Sequence, residues 1–296
     1  MAGPTFTVGN ATVTRIDDFD QAKLPAQGLL PDWDANWIGD HPDAVPSGTF
    51  DADEGTVPLP VHSWLIRDGV RTILVDTGAG NAKVRPYSPW FDRLDTSFLS
   101  RLAEQGVAPE DVTHVLLTHL HVDHVGWNTR LQDGVWVPTF PRARHVLVAD
   151  ELAYFTDFAN LDERSRTSFA AQQDSVLPIV AAGLADPIAI GGLEAIPGFT
   201  FHALPGHSPH HAGILWKSGG AIALFSGDVM HHPVQVSRPE WNSRFDADPA
   251  TARTSRRQAL ELAADTNAIV FTAHFGGTSA GRVSRDGPSF CWTTEG

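Results

Sequence analysis

Apolar residues gather into short runs along this chain, and five of those runs lead into aspartate or histidine. Ile73-Leu74-Val75 leads into Asp76-Thr77-Gly78, and Val115-Leu116-Leu117 into Thr118-His119. Further on, residues 201–204 lead into Pro205-Gly206-His207, residues 221–225 into Ser226-Gly227-Asp228, and residues 268–272 into Ala273-His274. Short apolar runs bounded by turn residues read as buried strands. Alternation over residues 5–16 adds opening strands. Residues 61–66 and 71–75, joined by Arg67-Asp68-Gly69, read as a hairpin, since Asp-Gly suits a tight turn. Helical stretches are expected over residues 95–105, with Asp95 as N-cap and Gly106 beyond the end, over 150–158, over 162–182 and over 248–264. The last of these is read with Arg256 and Arg257 on a solvated face.

The strand ends matter because a loop leaving a strand is where a rigid scaffold presents chemistry. His119 to His124 packs three imidazoles and a carboxylate into six consecutive residues. These are the ligand types taken by zinc and its neighbours. Structural zinc sites are usually closed by thiolates, yet the sole cysteine, Cys291, is far away. The cluster therefore reads as an open, catalytic metal site. Several strands ending on one side, each contributing one or two ligands, would complete it.

His119-x-His121-x-Asp123-His124, followed by His207, Asp228 and His274, resembles the metallo-β-lactamase superfamily over about residues 60–280. The resemblance implies an α/β fold, the four-layer αββα sandwich, and two divalent metal ions. These would be Zn2+ by expectation, with Mn, Co or Fe as alternatives. One ion would be held by His119, His121 and His207, the other by Asp123, His124 and His274, with Asp228 bridging. Asp76 would orient a ligand imidazole. A hydroxide bridging the ions would be the nucleophile, since bound metal lowers the pKa of water from about 15.7 toward 7. Asp123 could accept its proton.

Departures from subfamilies narrow the substrate. Asp228 stands where one group of zinc β-lactamases has cysteine. His121 stands where flavin-linked diiron oxygen reductases usually carry Glu. The residues after His274 are too few for the helical domain of glyoxalase II-like thioesterases. What remains resembles the lactonase and organophosphate-hydrolase branch. The expected function is therefore lactone opening, with a phosphotriesterase, a thioesterase or a diiron redox protein as alternatives. Lactonases of this branch often place a tyrosine near the bridging Asp. Here only Tyr87 and Tyr154 exist, and His231 is the candidate to donate a hydrogen bond to the substrate instead, or else simply packs nearby.

Composition changes the picture only at its edges. A net charge of −14 repels polyanions and argues against nucleic acid, leaving a small, neutral, partly hydrophobic substrate as the expected partner. No apolar run approaches the roughly 18 residues that span a membrane, and residues 1–10 lack the pattern of a secretion signal, so a cytoplasmic location is the default expectation. Residues 1–296 are expected to form one domain. Within it, residues 21–60, rich in Pro, Asp and Gly but carrying Trp33, Trp37 and Phe50, would be an extension. It would fold over the active-site mouth or against a second subunit of a homodimer, or be a surface loop anchored by its tryptophans. Tyr87, Trp90 and Phe91 are read as core in preference to pocket lining, and Trp127 as packing. His62, His114, His145 and His202 are read as structural. His210 or His211 could support a ligand, and His232 is left open.

Overall fold

Residues 61–66 and 71–75 form the expected hairpin in the computed structural model, which describes residues 3–161 and 165–296. Strands Val61–Arg67 and Thr72–Val75 pair antiparallel, and Gly69 supplies the positive φ, 86°, that their turn requires. Val61–Arg67 is buried at every position except its last, as befits an interior strand. The chain divides into two compact units, each with its own sheet.

The first unit comprises Met1–Phe19 and Val61–Ile190. Its sheet has seven strands among the described residues, in the order Thr5–Val8, Ala11–Phe19, Val61–Arg67, Thr72–Val75, His114–Leu116, Arg144–Val148, Ala185–Ile188. The early strands pair antiparallel and the last four run parallel. The parallel part aligns the ends of Thr72–Val75 and His114–Leu116, so Asp76 and the His119 cluster leave the sheet side by side. Leu74, Val115, Leu117, Leu120, Val125, Phe98 and Phe155 belong to one buried apolar cluster beneath them.

The second unit comprises Asp20–Pro60 and Gly191–Gly296. Its seven described strands run in chain order, Glu194–Ile196, Phe199–Ala203, Ala212–Ser218, Ala221–Phe225, Ile269–Phe271, Ala280–Asp286 and Ser289–Thr294. The one parallel pair, Ala221–Phe225 with Ile269–Phe271, is linked through the helix Pro249–Thr266. Asp248 caps that helix by accepting from Ala250 N (3.0 Å) and Thr251 N (3.2 Å). Asn267 ends it in the left-handed conformation, φ 50°.

Several expectations need correction. Arg256 is wholly buried on the face shared by Ala252, Ala259, Leu260 and Ala263, whereas Arg257 is exposed. The helix expected from residue 95 runs Phe98–Glu104 instead, with Ser97 at its N-cap, and Asp95 faces the Asn81 side chain (3.5 Å). The stretch expected over 162–182 is broken into short turns with a π-helical segment, Gln172–Val176, and residues 162–164 lie outside the described residues. Tyr87 (74%) and Trp90 (38%) are exposed rather than core, while Phe91 packs against the core cluster. Residues 20–60 carry a two-stranded ribbon, Lys23–Pro25 with Thr56–Pro58, and Trp33 is buried against Phe50 and Trp241.

Candidate metal centre

In the first unit, Asp76 organises the turn that follows His114–Leu116. Its Oδ1 accepts from Thr118 N (2.8 Å), and its Oδ2 accepts from Thr118 Oγ1 (2.8 Å) and from His124 Nδ1 (2.9 Å). A proton on His124 Nδ1 leaves the lone pair on Nε2. Because the Thr118 hydroxyl donates to Asp76, its oxygen accepts from His119 Nδ1 at 3.1 Å. His119 thereby also presents Nε2 as a lone pair. That atom is 3.0 Å from His121 Nδ1, and His124 Nε2 is 3.8 Å from an Asp123 carboxylate oxygen. Two ligand atoms each about 2.1 Å from one tetrahedral ion stand about 3.4 Å apart, so both spacings suit a shared cation.

The backbone of Leu120, between the first two histidines, is held on both sides. Its carbonyl accepts from Gln172 Nε2 (2.8 Å) and its N–H faces Glu151 Oε1 (3.4 Å). Both side chains are buried. Sequence reading missed them, although Glu151 lies one helical turn before the apolar Phe155.

In the second unit, one oxygen is the focus. Asp228 Oδ2 lies 3.2 Å from His207 Nε2, 3.2 Å from His274 Nε2 and 3.4 Å from His231 Nε2. His274 Nδ1 donates to Pro60 O (2.9 Å), leaving its Nε2 lone pair toward Asp228. His211 donates from Nδ1 to Leu204 O (3.1 Å) and accepts Asp228 N on Nε2 (2.9 Å), so it is the histidine of the pair 210–211 that supports a ligand. The ligand atoms of His207, Asp228 and His231 all lie within 4.8 Å of one another. Gly206, φ 125°, has no room for a side chain, since a Cβ would stand 2.2 Å from Ala252 N.

His232 turns away from this cluster. Its Nε2 donates to Thr49 O (3.0 Å) and Trp33 packs edge-on against its ring. Burial pushes its pKa down to about 3, so it is neutral and structural. Gln235 Oε1 accepts the backbone N–H groups of His231 (2.7 Å) and His232 (3.2 Å), fixing the turn that carries both. Trp127 is packing: it is buried, stacks on Phe98 and donates to Asp18 (3.0 Å). Asp18, which sequence reading did not single out, also accepts from Ala79 N (2.7 Å) and so braces the turn after Asp76.

Each half thus offers imidazole nitrogens and carboxylate oxygens, with tutored lone pairs and no thiolate, a donor set that fits a borderline divalent ion. The sequence model of the Metallo-beta-lactamase superfamily matches residues 56–274. The chain belongs to the metallo-β-lactamase superfamily. Among its relatives is an N-acyl homoserine lactonase of a Bacillus species, 25% identical over 232 residues, 73% of this chain and 81% of the relative. The lactonase AiiA of Bacillus thuringiensis subsp. kurstaki is 22% identical over the same shares. Among solved structures, the hydrolase AbOPH of the β-lactamase superfamily matches with TM-score 0.81 and 26% identity, covering 100% of this chain and 98% of that one. The dizinc quorum-quenching lactonase AidC matches with TM-score 0.77 and 21% identity over the same shares. This superfamily member therefore has the metallo-β-lactamase fold and is a metal-dependent hydrolase.

Proposed function

We propose that the chain opens a lactone ring, using two zinc ions. In this reading His119, His121 and His207 would hold one ion and Asp123, His124 and His274 the other, and Asp228 would serve both. The observation that carries it is the ring of imidazole Nε2 atoms around Asp228 Oδ2. A single carboxylate oxygen facing nitrogens assigned to two different ions is what a bridging ligand requires. The relatives named as lactonases and the product-bound lactonase AidC support the substrate class.

When bound, the two ions supply a hydroxide nucleophile at neutral pH and polarise the scissile carbonyl. The chain's own residues do the rest. Asp76 and Pro60 O hold protons on the remote nitrogens of His124 and His274, so neither ring must change tautomer to bind. His231 Nδ1 is buried without a hydrogen-bond partner among the described residues. An orphaned acceptor costs less than an orphaned donor, so its proton belongs on Nε2. That N–H points toward Asp228 and is placed to donate to the departing ring oxygen. Asp123 takes the proton of the attacking oxygen and returns it to that alkoxide. The new C–O bond forms as the carbonyl π bond opens, and the ring C–O bond then breaks as the carbonyl re-forms, leaving a hydroxy carboxylate. The chain's net charge of −14 favours an uncharged substrate over an anionic one.

The test is proton release in a pH-stat, with zinc-loaded protein, N-hexanoyl homoserine lactone and a chelator-treated control. Metal-dependent release supports the lactonase reading. No release from protein carrying two zinc ions would sink it, and would turn attention to a neutral phosphotriester hydrolysed by the same residues.

A further inference from the structure

The helix Pro249–Thr266 carries a cation that its surface role would not require. Arg256 is wholly buried, and its guanidinium uses both faces of its fork. Nε donates to Val229 O (2.9 Å), the carbonyl next to Asp228, and Nη1 donates to Pro239 O (2.8 Å) and Trp241 O (3.1 Å). Nη2 donates to Asp246 Oδ2 (3.0 Å), the oxygen that also accepts Ser243 N (3.0 Å). With Oδ2 so occupied, Asp246 turns Oδ1 toward His207 Nδ1, 3.8 Å away. The other nitrogen of that ring faces Asp228 at 3.2 Å.

We propose that Arg256 and Asp246 form a positioning relay for the second unit's half of the metal centre, a role that rests on the metal-site reading above. The relay works through two links. Asp246 favours a proton on His207 Nδ1 and so keeps the Nε2 lone pair directed at the metal position. The Nε donation to Val229 O fixes the backbone from which Asp228 projects. A loop anchor alone could be built from carbonyl acceptors. The carboxylate aimed at the rear of a ligand ring distinguishes this arrangement; it faces that ring at 3.8 Å, where Asp76 hydrogen-bonds His124 at 2.9 Å in the first unit. Such outer partners typically alter metal affinity 10–100-fold when replaced. Arg suits the task because its planar fork can serve a carboxylate and several carbonyls at once, which an ammonium cannot.

The experiment titrates zinc-free, full-length protein with zinc against a chromophoric chelator. Asp246→Asn and Arg256→Ala are compared with wild type and with Asp248→Ala. The last weakens the start of the same helix without touching the relay. The relay predicts a loss of zinc affinity of about 10-fold or more in the first two, no change in Asp248→Ala, and recovery of Arg256→Ala by added guanidinium. Zinc affinity in folded Asp246→Asn within two-fold of wild type would overturn it. So would an equal loss in Asp248→Ala, which would mean that stability alone is being read. If Asp246→Asn does not fold, Arg256→Ala decides through guanidinium: restored affinity supports the relay, and unrestored affinity overturns it. Wild-type protein that takes up no zinc would overturn both this inference and the reading beneath it. Zinc uptake with no lactone hydrolysis would leave the relay standing and remove only the substrate.

Discussion

Asp76 occupies a backbone conformation that few side chains adopt, with φ 55°. The strain makes sense at a site: the left-handed turn lets one carboxylate reach Thr118 N, Thr118 Oγ1 and His124 Nδ1 together. At this scale Asp228 carries the sharpest prediction. Asp228→Asn keeps size and shape but removes the charge between His207 and His274. It should leave the circular dichroism spectrum unchanged and lower turnover by more than the roughly 10–100-fold that losing an outer partner costs. Full activity in this variant would refute the proposed centre. His231→Leu separates a donor from a ligand. Loss of one well-placed donor should lower kcat by roughly 100-fold with zinc content intact. A fall in zinc content would instead make His231 a ligand. The ligand histidines could be read directly from the sequence because each follows an apolar run, whereas Glu151, Gln172 and Asp246 could not. Their role is to hold other side chains, and that depends on contacts remote in the chain.

Strands were the more legible elements. All five runs that lead to Asp76, His119, His207, Asp228 and His274 fall on strands, since a short apolar run bounded by turn residues is how a buried strand shows in sequence. Helices were read less well. Arg256 falls at helical spacing from Ala252, Ala259, Leu260 and Ala263, so the pattern contained its burial; charge type outweighed periodicity in the reading. The segment Gln172–Val176 winds as a π-helix, placing Gln172 against Leu120 O, a local departure that no periodicity announces. One cap can be tested by itself. Asp248→Ala should lower the midpoint of urea unfolding, because two N–H groups at the start of Pro249–Thr266 lose their acceptor. An unchanged midpoint would show that solvent replaces the carboxylate.

Across the whole molecule, acidity and buried histidine set the response to pH. Burial pushes the pKa of His145 from 6.5 down to about 4. The folded chain therefore keeps this ring neutral between pH 4 and 6.5, while the unfolded chain protonates it. Unfolded protein binds more protons in that window, so stability falls as pH falls through it, by about 1.4 kcal/mol per pH unit from this residue. His145→Gln should flatten that slope in urea unfolding of chelator-treated protein; an unchanged slope would assign the effect elsewhere. No helix among the described residues is long and apolar enough to cross a membrane. The family, the sheet-forming runs and the metal chemistry were legible at this scale. The placement of residues 20–60 was not, since their aromatic anchors Trp33 and Phe50 meet Trp241 and His232 only after the chain has returned.

That return has a consequence for biosynthesis. The second unit is assembled from Asp20–Pro60 and Gly191–Gly296, with the whole of Val61–Ile190 translated in between. At about 5–20 residues per second, the early piece waits on the order of ten seconds for its partners. During that interval Trp33, Phe50 and the ribbon strands are nascent chain without a core, and His274 has yet to be made. A ribosome-bound fragment ending before Gly191 should expose these aromatics to chaperones and proteases, while the first unit's strands are already complete.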